Sequence, residues 1–240
     1  MNRNDVKISL IKVLQSFPGH LNRWEVYFDW VHAMAYALAN VTDRTHLRHE
    51  REAAYMKLVD KYGKDMHKFS ECLALLVRLF EYQSHDWLGE IYMEGEFSNK
   101  HLGQFFTPYH VSKLMANLTF DEDQLKKKGK IGFYEPTVGA GGMIIALAET
   151  MKEKGYNPQT QLEVYCTDLD TNALLMAFVQ LSILGIPARC EVKNALSMDQ
   201  EDCISQWYTP GWFMFRRIGL ETSEYQRADK EELEQLVLDI

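Results

Sequence analysis

The sequence predicts an α/β protein with a helical domain over residues 1–100 and a domain over residues 101–240 built on a mostly parallel sheet. Through the first hundred residues, apolar side chains recur at spacings of three and four, the period of an amphipathic helix, with breaks at Phe17-Pro18-Gly19, Asn40 and Gly63. From Ile131 onward, short apolar runs alternate with helical ones, the sequence form of parallel strands joined by right-handed crossovers. At the first strand-to-helix junction of that second half lies Glu135-Pro136-Thr137-Val138-Gly139-Ala140-Gly141-Gly142-Met143, with three closely spaced glycines.

In the helical part, Val26, Phe28, Trp30, Val31, Met34, Ala35 and Leu38 give one segment a broad apolar surface. Cys72, Leu73, Leu75, Leu76, Leu79 and Phe80 do the same for another. Next comes Gly103-Gln104-Phe105-Phe106-Thr107-Pro108, leading into a helix-like run over 109–115. There Thr107 suits the N-cap and Pro108 the first helical position. Strands are expected at 131–134, 162–166 and 189–192, and helices from 143 and over 172–184, the latter stopped by Gly185. After Pro210 there is room for one strand, 212–218, and one acidic helix, 223–238.

With 240 residues, 46% of them hydrophobic and 25% charged, the chain has the composition of an ordinary globular protein with a real core. No apolar run approaches the roughly 18 residues a bilayer requires. The start Met1-Asn2-Arg3-Asn4-Asp5 has no signal-peptide pattern, so a cytoplasmic location and no membrane contact are expected. Cys72, Cys166, Cys190 and Cys203 lack paired spacing, which predicts reduced thiols rather than disulfides or a metal site. His46 and His49 are three apart, but Arg44, Arg48, Glu50 and Arg51 around them read as a charged solvent face. A net charge of -8 opposes general affinity for polyanions, so any DNA contact is expected to be local or to come through a partner. The basic run Lys126-Lys127-Lys128-Gly129-Lys130 reads as a solvated loop.

Glycines between a strand and a helix let backbone approach a ligand, with amide N–H groups and the positive helix end facing it. The turn at 135–143 is therefore a candidate cofactor cradle. In nucleotide-binding sheets, an acidic residue at the end of the second strand accepts hydrogen bonds from ribose hydroxyls, and Asp168 occupies that place. Asp170 or Thr171 would cap the helix that follows. Asn194, after the third strand, could read an adenine edge or form a turn, and both fit its side chain.

Phe106-Thr107-Pro108, the glycine turn, Asp168 and Asn194, in this order, resemble the adenine-N6 DNA methyltransferases of the type I restriction-modification class, the modification subunits. The resemblance covers about residues 70 to 198, including the lead-in Asp86-Trp87-Leu88-Gly89-Glu90-Ile91-Tyr92. It implies a Rossmann-like S-adenosylmethionine-dependent methyltransferase domain behind a helical one. It also implies S-adenosylmethionine as cofactor, held by Phe106, Thr107, Pro108 and by Glu135, Pro136, Thr137, Gly139, Gly141, Gly142 and Met143. Ribose would fall on Asp168 and adenine near Asn194. DNA is the implied substrate, with sequence reading left to a separate specificity subunit.

Members of that class carry Asn-Pro-Pro-Phe or Asn-Pro-Pro-Tyr after the third strand. The target base is flipped out, its exocyclic amine is held by the Asn side chain and a backbone carbonyl, and the ring stacks on it. This chain has no Pro-Pro pair, and its one Asn-Pro pair, Asn157-Pro158, precedes the second strand. Trp207-Tyr208-Thr209-Pro210-Gly211-Trp212-Phe213 stands where the segment should fall. It reads either as a degenerate catalytic loop, with Thr209 for the Asn, Pro210 keeping its carbonyl and Trp212 or Phe213 stacking, or as an aromatic turn packed on the sheet. The seven strands usual in the class would be cut short. That predicts a compact variant capped by the terminal helix, or a homodimer or heteromer across the incomplete edge. The functional expectation is an adenine-N6 DNA methyltransferase or a partner-dependent subunit of one. The alternatives are a catalytically inactive S-adenosylmethionine-binding protein that regulates or supports a restriction or anti-restriction system, and methyl transfer to a substrate other than DNA.

Overall fold

The computed structural model describes residues 2–42, 45, 47–95, 97, 106–196 and 203–220, with side chains as far as Phe215. The helical part consists of α1 (Arg3–Gln15), α2 (Arg23–Ala39), α3 (Leu47–Tyr62), α4 (His67–Tyr82) and α5 (Trp87–Glu94). Their starts are set by side chains that satisfy orphan amides: Asn2 and Asp5 form a capping box on α1, Asn22 caps α2, and Asp86 caps α5. α2 buries side chains around most of its circumference, including Val26, Tyr27, Trp30 and Val31, because helices pack on more than one of its sides.

The second part runs α6 (Tyr109–Thr119), α7 (Glu122–Lys128), β1 (Ile131–Glu135), α8 (Gly142–Glu153), α9 (Pro158–Gln161), β2 (Leu162–Asp168), α10 (Thr171–Ile183), β3 (Ala188–Val192), β4 (Ser205–Tyr208) and α11 (Pro210–Leu220). The sheet order is β1-β2-β3-β4; the first three strands are parallel, and β4 is antiparallel to β3. This is a helical protein around a mostly parallel, Rossmann-like sheet, with β1 at one edge. α2 and α10 pack together, and buried side chains from Val6 to Trp207 form one continuous core.

The strands alternate. Leu162, Val164 and Cys166 on β2 and Ala188, Cys190 and Val192 on β3 are buried, and α10 packs on both strands. On the other face Tyr134, Tyr165, Arg189 and Tyr208 stand in one row across all four strands. Tyr134 is 55% exposed and Tyr165 37%. Parallel sheets are ordinarily covered on both faces. This one is covered on its outer face by Trp212 of α11, which meets Tyr165 edge-on at 5.3 Å. Beside it remains a groove of about 350 Å³ lined in part by Tyr134, Tyr165, Arg189 and Lys193.

Four local expectations change. Residues 212–218 belong to a helix, not a strand: Pro210 takes the first helical position, and Trp212 donates its backbone N–H to Thr209 O at 2.9 Å. Trp207 and Tyr208, read as part of a loop or aromatic turn, belong to the strand β4. Lys126, Lys127 and Lys128 form the last turn of α7 rather than a loop, where cations suit the negative helix end, and Gly129 closes the helix at φ 73°. α6 begins at Tyr109, so Pro108 is its N-cap and Thr107 lies outside it. Gly103, Gln104, Phe105, His46 and the acidic 223–238 run lie outside the described residues.

Candidate cofactor site

β1 ends at Glu135, and the chain turns through Pro136-Thr137-Val138-Gly139-Ala140-Gly141 into α8. Gly139 at φ 54° and Gly141 at φ 96° occupy the left-handed region, which side chains with a Cβ rarely enter. Space is also restrictive at both. A Cβ on Gly139 would lie 3.2 Å from the Phe106 ring, and one on Gly141 would lie 3.2 Å from Ala177 of α10. The glycines thus let the turn lie directly under Phe106 on one side and against α10 on the other.

The turn is tied to β2 by three hydrogen bonds. Val138 N donates to Thr167 O at 2.9 Å, Thr167 Oγ1 donates to Pro136 O at 2.8 Å, and Gly139 N donates to Asp168 Oδ2 at 2.8 Å. Asp168 Oδ1 accepts from Asp170 N at 3.0 Å, and Asp170 in turn caps α10 through Asn172 N at 2.9 Å. The two aspartates divide the work as the sequence suggests: Asp168 faces the turn, and Asp170 caps the helix. A carboxylate accepts about four hydrogen bonds, so Asp168 retains capacity for a ribose diol.

Glu135 is half-buried at the end of β1, and its carboxyl is raised above the ordinary 4.5, first by burial and also by the Asp168 charge. Thr137 N donates to its Oε1 at 3.3 Å. Two carboxylates beside a glycine turn favour a cationic ligand over a pyrophosphate. Phe106 is half-buried, Thr107 and Pro108 are exposed, and Met143 is half-buried in the first turn of α8. Asn194 follows β3, and its Oδ1 accepts from Leu196 N at 3.0 Å, so the turn-forming role is made, and its amide N–H₂ has no partner among the described residues. The structure brings Phe106, the glycine turn and Asp168 into one site, with Asn194 at the same carboxyl edge of the parallel strands.

It does not bring Thr209 there. β4 runs antiparallel, pairing Ser205 with Val192 and Tyr208 with Arg189, so it carries the chain from the carboxyl end of β3 back to its amino end. Thr209 is fully buried; its Oγ1 donates to Ile186 O at 2.8 Å and accepts from Ala188 N at 2.9 Å. Pro210 opens α11, Trp212 is buried against Tyr165 and Tyr208, and Phe213 is 40% exposed. These residues pack the sheet at the end opposite the cradle, because β4 reverses direction.

Two residues at the site went unrecognised in the sequence. Asp86 and Gln180 are both buried, and Gln180 Nε2 donates to Ala140 O of the turn at 2.7 Å and to Asp86 Oδ1 at 2.8 Å. Burial raises the Asp86 carboxyl, against the hydrogen bonds from Gln180 and Gly89. A polar residue on the otherwise apolar helix 173–181 was the available signal.

No curated protein sequence matches the chain. Among solved structures, a Listeria monocytogenes protein assigned to the class I S-adenosylmethionine-dependent methyltransferases is similar, with 12% identity and a TM-score of 0.48 over 82% of this chain and 56% of that one. A type I restriction-modification methyltransferase subunit from Streptococcus thermophilus shares 15% identity, with a TM-score of 0.37 over 78% of this chain and 57% of that one. The chain therefore spans little more than half the length of either. The N-6 DNA methylase family matches residues 83–208, from the approach to α5 through the glycine turn, Asp168 and Asn194 to the end of β4. That match takes in more than half of the sequence, and the chain belongs to the N-6 DNA methylase family.

Proposed function

We propose that the chain binds S-adenosylmethionine at the glycine turn, beside Phe106 and Asp168, and takes part in adenine-N6 methylation of DNA, with a partner presenting the base. The observation that carries this is the Asp168 carboxylate bonded to Gly139 N, which holds a ribose acceptor beside a glycine turn at the carboxyl end of the first parallel strand. The cofactor supplies an electrophilic methyl group on a sulfonium. Toward it, Asp168 accepts the ribose hydroxyls, Asp168 and Glu135 set a negative field for the positive sulfur, Phe106 covers the turn, and the Asn194 amide meets the adenine edge.

The base-holding groups are read as coming from outside residues 209–213, since Thr209 spends its hydroxyl within the core. A partner could dock on the edge of β1 that pairs with no strand among the described residues, or on the outer face beside Tyr134, either as a second copy or as another subunit. The placement of Thr209 also favours a second reading, a protein that binds the cofactor without transferring its methyl group.

Calorimetry with S-adenosylmethionine tests the shared element: saturable binding is expected, and no heat at millimolar ligand with folded protein overturns both readings. Tritiated cofactor and mixed-sequence DNA separate them. Label in DNA that requires added cell extract supports the partner-dependent enzyme, whereas cofactor binding with no label under either condition favours the second reading.

A further inference from the structure

One buried amide joins both walls of the cradle. Gln180 on α10 is fully buried; Nε2 donates to Ala140 O and to Asp86 Oδ1, and Oε1 accepts from Leu88 N at 3.1 Å. Asp86 Oδ1 also accepts from Gly89 N at 2.9 Å, which fixes the start of α5. α5 carries Tyr92, whose ring meets Phe106 edge-on at 5.7 Å, and Phe106 lies against Gly139. From Gln180 a contact therefore runs directly to the glycine turn and, through α5 and Tyr92, to the aromatic cover above it.

Its neighbours Met176, Ala177, Val179 and Leu181 are buried apolar residues, so packing alone would be served by Leu or Met. A buried amide is tolerated only when its groups are bonded, and here the bonds reach both the glycine turn and the start of α5, segments far apart in the chain. We propose that Gln180 and Asp86 are positioning residues that hold the glycine turn and the Phe106 packed on it in the arrangement the cofactor requires. The proposal rests on the S-adenosylmethionine reading for its ligand, but the tie itself is a property of the free protein.

The test compares Gln180→Met, near in volume, with Phe69→Leu, a core change in the Phe17–Tyr62–Phe69 cluster that none of these contacts reaches. Amide hydrogen exchange is followed in the ligand-free protein, and S-adenosylmethionine affinity by calorimetry. In Gln180→Met, amides over 137–143 are expected to exchange faster than in Phe69→Leu at matched global stability, and affinity to fall about tenfold. Asp86→Leu is expected to act in the same direction and serves if Gln180→Met does not fold. Asp86→Asn, which keeps the accepting oxygen, should restore both measurements to near wild type. Equal protection of 137–143 in Gln180→Met and Phe69→Leu, or an affinity loss no larger than that of Phe69→Leu, overturns the proposal. A wild-type chain that binds no S-adenosylmethionine, with the turn still loosened in Gln180→Met, overturns the cofactor reading and leaves the tie standing.

Discussion

Asp168 is a carboxylate whose fold-forming bonds leave acceptor capacity for the proposed ligand. Its two oxygens accept Gly139 N and Asp170 N, so it is oriented before any ligand arrives. Glu135 beside it gives the site a pH dependence. Its carboxyl is raised above 4.5, and its ionised form attracts a sulfonium, so affinity should be full above the raised value and fall as pH drops through it. We expect S-adenosylmethionine affinity to weaken about threefold across that range, Glu135→Gln to flatten the profile, and S-adenosylhomocysteine, which lacks the sulfonium charge, to show a smaller slope. Thr209 behaves oppositely. Thr209→Val removes a buried donor and acceptor and strands Ile186 O and Ala188 N, at a cost of about 1–3 kcal/mol by urea unfolding, with cofactor affinity unchanged. Unchanged stability with lost methyl transfer would make Thr209 part of the chemistry instead.

At the scale of elements, the same dipeptide has two outcomes. Thr209-Pro210 starts α11 with Pro at the first helical position, whereas at Thr107-Pro108 the helix begins one residue later. Local propensity permits both, and packing selects: a Cβ on Gly211 would lie 2.7 Å from Gly185 O, so α11 is set close against that loop. α5 is fixed by charge as well as by its cap. Glu90 receives His85 and, at 2.6 Å, Lys7 of α1, and the His85 bond foremost holds its carboxyl down to about 2 from 4.5. A depressed carboxyl stabilises the fold above its unfolded value and loses that contribution as pH falls through the folded one. Acid titration of stability should therefore show about 2 kcal/mol lost between pH 4.5 and about 2, after allowance for solvent screening, and Glu90→Gln should remove that loss.

Across the whole molecule, the single core from Val6 to Trp207 couples the helical part to the sheet. His32 Nε2 meets Asn172 Oδ1 at 2.9 Å, and the Arg51 guanidinium lies 4.5 Å over the Trp207 ring, so α2 and α3 are both bound to the second part. Calorimetric unfolding should give one transition with matching calorimetric and van't Hoff enthalpies; two separated transitions would show that 1–100 is an independent domain. Among the described residues β1 pairs with a strand on one side only, and on the outer face Tyr134 is 55% exposed.

The sequence by itself determined the strand–turn–helix around the glycines, the three parallel strands, the capping of the following helix by Asp170 and the apolar faces of the first helices. Those depend on local chemistry: positive φ, caps and hydrophobic period act between residues near in the chain. Tertiary structure alone decided that β4 runs antiparallel, that Thr209 is therefore delivered to the end of the sheet away from the cradle, and that residues 212–218 coil into a helix across its outer face. It also decided that Gln180 meets Ala140 and Asp86, 40 and 94 residues away in sequence. Strand direction and buried hydrogen-bond partners are chosen by which distant groups remain unsatisfied once the core closes, and no local pattern carries that information.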